Sequence, residues 1–315
     1  MNLLEELKGA GTIGIAGHIR PDGDCVGACL ALYKYLENAV KDAKISVFLE
    51  QPPVIFSYLY GFDKIRNTIP ADEKFDVFIA LDAGDSERLG EARELFLQAG
   101  KRLCFDHHLS NVGYGDQNAI RPEASSTCEV LYDHFEKRFM DKDVAQALYT
   151  GIVHDTGVFQ YSCMSQATFT IVGELIGYGF DAAGIISKTF YEKTYVQNQI
   201  LGRALLESII FMDGRCIASC VDKRMMDFYG ATSEDFDGIV NQLLVTRGCE
   251  VAIFMYQTGT LEFKVSMRSK GKVNVAEVAS YFNGGGHARA AGCTMMGTYR
   301  DVLNNLSRHI EEQLQ

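Results

Sequence analysis

Four short apolar runs, at 12–16, 45–49, 76–81 and 102–105, alternate with helical periodicity through the first half of the chain. Continuous apolar runs suit strands covered on both faces, and their alternation with helices predicts strand–helix–strand units around a largely parallel sheet. Helices are expected at 26–36, 91–98, 128–139, 144–153 and 167–177.

From about 180 to 206 the sequence is polar and helical with no strand signal, which reads as a connector. Beyond it come strand-like runs at 208–212, 216–221, 250–256 and 261–267, the last two joined as a hairpin at Thr258-Gly259. Helical patterns at 236–245, 275–282 and 301–313 complete that half. The expected fold is therefore α/β: an N-terminal doubly wound, mainly parallel sheet over 1–185, a helical linker over 186–206 and a smaller α+β domain over 207–315. A chain of 315 residues has material for two such cores.

The formal charge of −11 argues against a protein that wraps long duplex DNA, since that affinity comes from Lys and Arg neutralising phosphates. A small anionic substrate stays open if metals or local cations supply the field. Nine cysteines, with no C-x-x-C pair, read as buried thiols of a reducing, cytoplasmic protein. No apolar run approaches the ~20 residues of a membrane span.

In open α/β sheets functional groups collect just beyond the carboxyl ends of strands. After the first run stands Gly17-His18-Ile19-Arg20-Pro21-Asp22-Gly23-Asp24, after the third Asp82-Ala83-Gly84-Asp85, and after the fourth Asp106-His107-His108; Asp155 closes a helical run. Taken singly these are ordinary residues. Pro-Asp-Gly-Asp is turn and helix-cap chemistry, and a lone histidine reads as a hydrogen-bonded core residue. Taken together they mean more, because carboxylates gathered at one sheet edge repel one another unless cations neutralise them. Imidazole and carboxylate without thiolate suit manganese better than structural zinc. Two such ions, ~3.5–4 Å apart, can share a carboxylate and activate water for in-line attack on phosphorus.

These motifs resemble the DHH phosphoesterase superfamily, whose triplet stands here as Asp106-His107-His108. The first loop, the segment from Leu81 to Gly90 and Asp155 follow the family order. The second half resembles the DHH-associated domain through Ser266-Met267-Arg268-Ser269, Gly284-Gly285-Gly286-His287 and Ala290-Ala291-Gly292. Nearly the whole chain is covered, and its size and both ends are similar to the nano-RNase group of bifunctional oligoribonucleases and phosphoadenosine-phosphate phosphatases. The resemblance implies His18, Asp22 and Asp82 around one ion and Asp24, Asp82, His107 and Asp155 around another, with Asp82 as the bridge. Asp106 and His108 would serve catalysis by orienting ligands or contacting the phosphate. It further implies two manganese ions, with magnesium or cobalt as alternatives, a short RNA or nucleotide substrate, and a homodimer. Ala28 departs from a common Ser, and Asn283 from a fourth Gly.

Arg268, Ser269, Gly285, Gly286, His287 and Arg289 are the expected substrate-binding residues, because glycines let backbone N–H groups approach an anion and cations add charge-assisted hydrogen bonds. The bland reading of the glycine run is a flexible turn. By resemblance this lobe is expected to face the metals across a cleft and grip the terminal nucleotide. Rival enzymes are a processive single-strand exonuclease, which ordinarily carries a basic track with stacking aromatics, a cyclic- or linear-dinucleotide phosphodiesterase and a pyrophosphatase. A catalytically dead nucleotide-binding sensor would show degenerate ligands, and none of the six metal positions is degenerate.

Overall fold

Ile13 and Ile15 bury on one face of β1 (Thr12–Ala16) and Ala16 on the other, so the strand is covered twice. The same holds for β4 (Val77–Leu81), where Ile79 and Leu81 face one core and Phe78 and Ala80 the opposite one. With β2 (Lys44–Phe48), β3 (Ile65–Arg66), β5 (Lys101–Asp106) and β6 (Gln117–Ile120) they form a six-stranded sheet ordered β3-β2-β1-β4-β5-β6, every neighbour parallel. The computed structural model describes residues 1–69, 73–161 and 163–314, and its first compact unit spans residues 1–192. This is the α/β architecture expected.

The helices of this unit are α1 (Leu3–Glu6), α2 (Gly23–Ala39), α3 (Arg93–Gln98), α4 (Thr127–Tyr132), α5 (Lys142–Asp155), α6 (Gln166–Ile176) and α7 (Ala182–Ile186). Residues of α2, α4, α5 and α6 share one core, while Leu95 and Phe96 of α3 pack with Phe48 and Phe78 on the other face. Neither β3 nor β6 was expected: both are edge strands held by backbone pairing, and β6 begins with exposed Gln117 and Asn118. The helix expected over 128–139 stops at Tyr132, where the chain turns and Phe135 stacks on Tyr35 at 3.9 Å. α3 starts later than expected, after a 3-10 segment in which Gly90 sits at φ 56°.

From Lys193 onward a second unit forms. Its sheet is ordered β11-β12-β10-β9-β8-β7, from β7 (Ile209–Phe211), β8 (Cys216–Val221), β9 (Val251–Gly259), β10 (Glu262–Ser269), β11 (Gly285–His287) and β12 (Ala290–Met296). Only β8 and β9 pair in parallel. One face packs α11 (Val275–Ser280) and α12 (Tyr299–Leu314), and the other packs α8 (Tyr195–Leu206) and α10 (Ile239–Leu244), with α9 (Lys223–Tyr229) nearby. Ile200 and Ala204 of α8 are buried in that second core, so the segment read as connector packs as part of this unit. The hairpin turn falls at Thr260-Leu261 rather than Thr258-Gly259, with Leu261 left-handed at φ 54°. β12 escaped sequence reading because Ala, Gly and Cys dominate it and carry little strand signal.

All nine cysteines are free, including the two pairs Cys25/Cys29 and Cys216/Cys220. Among the described residues no helix is long and apolar enough to cross a membrane.

Candidate metal centre

The strand order reverses between β1 and β4, the place where an open parallel sheet leaves a crevice beyond its strand ends. His18 follows β1, Asp82 follows β4, Asp106 ends β5, and His107 and His108 come next. Asp22 caps α2, whose first turn holds Asp24, and Asp155 closes α5. The structure therefore gathers all eight first-half residues singled out by sequence.

Glycine makes the gathering possible. A Cβ on Gly27 of α2 would lie 2.7 Å from the Ala147 carbonyl of α5, and one on Gly151 would lie 2.6 Å from an Asp24 oxygen. The two helices thus touch backbone to backbone, which brings the end of α5 to the start of α2. Asp82 is held left-handed at φ 55°, a conformation uncommon outside glycine and found where the surroundings over-determine it.

His18 and His107 are arranged alike. Nδ1–H of His18 donates to the Ile19 carbonyl at 2.8 Å, and Nδ1–H of His107 donates to the Ala124 carbonyl at 3.3 Å. Each ring then turns Nε2 to carboxylates: His18 lies 3.6 Å from Asp22 and 3.5 Å from Asp82, and His107 lies 3.1 Å from Asp155 and 3.7 Å from Asp82. That is the tautomer a metal-ligating histidine needs. His108 differs, since its Nδ1–H donates to Asp106 at 2.7 Å. Asp106 also accepts from the backbone N–H groups of His107 and His108 and from the Asn111 amide, which ties the triplet to the end of β5.

Burial and mutual repulsion decide the electrostatics. Burial, then the charge of Asp82, pushes the Asp24 carboxyl up to about 7. Burial raises Asp82 to about 6 against the pull of His18, and burial with Asp24 raises Asp155 to about 7. His18 is held above its ordinary value: burial works against its charge, but Asp22 and Asp82 outweigh it. Asp22 titrates low despite partial burial, because His18 and the N–H groups of Cys25 and Asp24 favour its anion. Among the described residues of the first unit no Lys or Arg pairs with Asp24, Asp82 or Asp155. A divalent cation is the group such a site fits, and it would return these carboxyls to their ionised form. Asp24, His107 and Asp155 bring ligand atoms within 4.8 Å of one another, as do Asp82 with His107 and His108. On the His18 side the third atom within that distance is the Cys25 thiol, a residue absent from the sequence reading as a ligand, while Asp22 spends Oδ1 on capping α2.

Sequence reading also missed Thr127. Its N–H donates to Asp24 at 2.6 Å and its hydroxyl to Asp82 at 3.0 Å, so one buried residue orients two of the acidic groups. Glu129, itself buried, accepts from the Ser125 and Thr168 hydroxyls and pairs with Arg121, which fixes the start of α4 where Thr127 stands.

In the second unit, Arg268, Gly285 and Gly286 line a cavity of about 540 Å³ together with Asn283 and β12 residues. His287 and Arg289 are exposed beside it on the β11–β12 hairpin. Ser269 lies apart: it is buried, its hydroxyl donates to Glu250 and accepts from the Gly271 N–H. The glycines do different work. A Cβ on Gly284 or Gly286 would lie 2.3 or 2.4 Å from a β12 carbonyl, so these two are required by packing, whereas Gly285 has nothing within 4 Å. Asn283 takes the left-handed conformation, φ 55°, that asparagine tolerates in place of glycine.

The family model for the DHH family, N-terminal domain, matches residues 12–152, and that for the DHHA1 domain matches residues 213–315. The bifunctional oligoribonuclease and PAP phosphatase NrnA of Thermus thermophilus is 28% identical over 303 residues, covering 94% of this chain and 89% of that protein. Its namesake in Bacillus subtilis is 26% identical, over 93% and 92%. An exopolyphosphatase-related protein of Bacteroides fragilis superimposes with a TM-score of 0.86 at 25% identity, over 98% of this chain and 94% of that one. The chain therefore carries a DHH N-terminal domain followed by a DHHA1 domain.

Proposed function

We propose that the protein is a manganese-dependent phosphoesterase that hydrolyses short oligoribonucleotides and 3'-phosphoadenosine 5'-phosphate. The observation that carries this reading is the carboxylate and imidazole cluster, with Asp24 and Asp82 fully buried, at the carboxyl ends of β1, β4 and β5, where no Lys or Arg of the first unit neutralises the acidic groups. The names of the Thermus and Bacillus relatives supply the substrate class. His18, Asp22 and Asp82 hold one ion, and Asp24, Asp82, His107 and Asp155 the other. Two such ions, when bound, lower the pKa of water and neutralise charge on phosphoryl oxygens. The protein's part is orientation: Thr127 sets Asp24 and Asp82, the Ile19 and Ala124 carbonyls set the two rings, and Asp106 sets His108. His108, with a 39% exposed side chain, is the member of the triplet free to reach a phosphate oxygen. In the second unit, Arg268, Gly285, His287 and Arg289 supply groups that bind phosphate.

A substrate panel in manganese tests this: 3'-phosphoadenosine 5'-phosphate, RNA of two to five nucleotides, a long single strand, a cyclic dinucleotide and pyrophosphate. Product is expected from the first two, faster than from the long strand, and none after chelation. Turnover that survives chelation, or tight binding without product, sinks the reading.

A further inference from the structure

We propose that a second cavity, over the carboxyl ends of β1, β2 and β3, is a nucleobase subsite that opens off the metal centre. It has a volume of about 280 Å³ and is walled by His18, so it adjoins the cluster directly. That is just below the ~300–1,000 Å³ of sites for drug-sized ligands, so it suits one ring system and excludes a dinucleotide. Its floor is apolar and buried, from Phe48, Leu49, Leu89 and Ala92. Its rim carries the amides of Gln51 and Asn67, which already meet each other at 3.2 Å, with the carboxylates of Glu50 and Glu91. An apolar slot edged by amides and acceptors binds a flat heterocycle with N–H groups. The rim carboxylates repel a phosphate, which places the phosphate toward the metals and the base here.

The walls are preorganised. The Ile19 N–H donates to the Arg88 carbonyl at 2.7 Å and the Arg20 N–H to Glu50 at 2.7 Å, so the first loop is tied both to the segment after β4 and to the end of β2. A Cβ on Gly90 would lie 2.5 Å from Ile19, which shows how closely these walls meet. Arg66 lies over the Phe48 ring at 4.7 Å and fixes it in place. In dinucleotide-binding sheets of this strand order an acidic residue past the second strand meets the ribose hydroxyls, and Glu50 stands just past β2.

This subsite rests on the phosphoesterase reading, and the experiment separates the two. Binding of AMP and of ribose 5-phosphate to the full chain in manganese is measured by calorimetry for the unaltered protein, for Asn67→Trp, which plugs the cavity, and for Gln51→Ala with Asn67→Ala, which strips its rim. The unaltered protein is expected to prefer AMP by about tenfold or more, equivalent to about 1.4 kcal/mol, and both variants to bring the two affinities within about threefold of each other. An AMP preference that survives in both variants overturns the subsite, as does equal weakening of both ligands. If the phosphoesterase reading is what fails, neither ligand needs manganese and the unaltered protein releases no product from a dinucleotide; if only the subsite fails, manganese-dependent binding and hydrolysis persist with the preference untouched.

Discussion

On the function proposed, the two units would hold a charged ligand in opposite ways. In the first, Asp24 and Asp82 are buried to 1% and 2% exposure, and donors from Thr127 and Cys128 constrain them. In the second, Gly285, His287 and Arg289 lie exposed on a hairpin. The difference is one of tolerance. A metal pair would demand ligands placed to a few tenths of an ångström, and the glycine contacts, the left-handed aspartate and the hydroxyl donors supply that placement. A phosphate or sugar would be met there by solvent-exposed groups that adapt to it.

The sharpest way to break that comparison is Asp82→Asn, which removes the charge shared by both halves of the cluster with little change of shape. Turnover of a dinucleotide should fall by roughly 10²- to 10³-fold or more, the scale of several kcal/mol of lost charge stabilisation. A mutant with more than a tenth of the original kcat in manganese would show that the buried cluster does not do the chemistry.

Thr127→Val comes next. It leaves the N–H to Asp24 and deletes the hydroxyl to Asp82. Loss of an orienting partner costs ~10- to 100-fold in metal affinity or activity, so the manganese midpoint should move up while Thr127→Ser restores it. A kcat loss with no change in the manganese midpoint would make Thr127 a packing residue only.

Thr127 also marks the limit of what the sequence disclosed. The eight residues of the cluster were legible because His and Asp just past strands carry chemistry that few other readings absorb. Thr127 was not, although Ser126-Thr127-Cys128-Glu129 is a helix-start signature that could have led to it. Nothing in Ala124-Ser125-Ser126-Thr127 says that this helix start points at carboxylates 103 and 45 residues earlier in the chain. Cys25 was hidden for a different reason, since a thiol four residues before Cys29 on a helix reads as core. The parallel sheet was plain in its apolar runs, whereas β6 and β12 were obscured by polar and small residues whose strand pairing depends on neighbours.

On the exposed side of the comparison, His287→Ala should raise KM for a dinucleotide by ~10-fold, the worth of one charge-assisted hydrogen bond, with kcat held within about threefold. A collapse of kcat instead would give the hairpin a share of the chemistry and erase the division between the two units.

The smallest effect is the most diagnostic of burial. Asp24, Asp82 and Asp155 titrate at about 7, 6 and 7 in the folded chain, above the ~3.9 of an unfolded aspartate. The folded protein therefore holds those protons more tightly, and without metal it loses stability as pH rises from about 4 to about 7. His18, also raised, adds to the loss only above about pH 6.5, where the unfolded imidazole gives up a proton that the folded one keeps. Manganese competes with these protons, so its stabilisation should grow over the same window. At ten times its Kd the ion contributes about 1.4 kcal/mol, roughly 3 to 5 °C in Tm, at pH 8, and close to nothing at pH 5. A manganese-induced Tm shift equal at both pH values would mean that the ion binds elsewhere, on groups already ionised at the surface. In that case the buried carboxyls keep their protons for the sake of the fold.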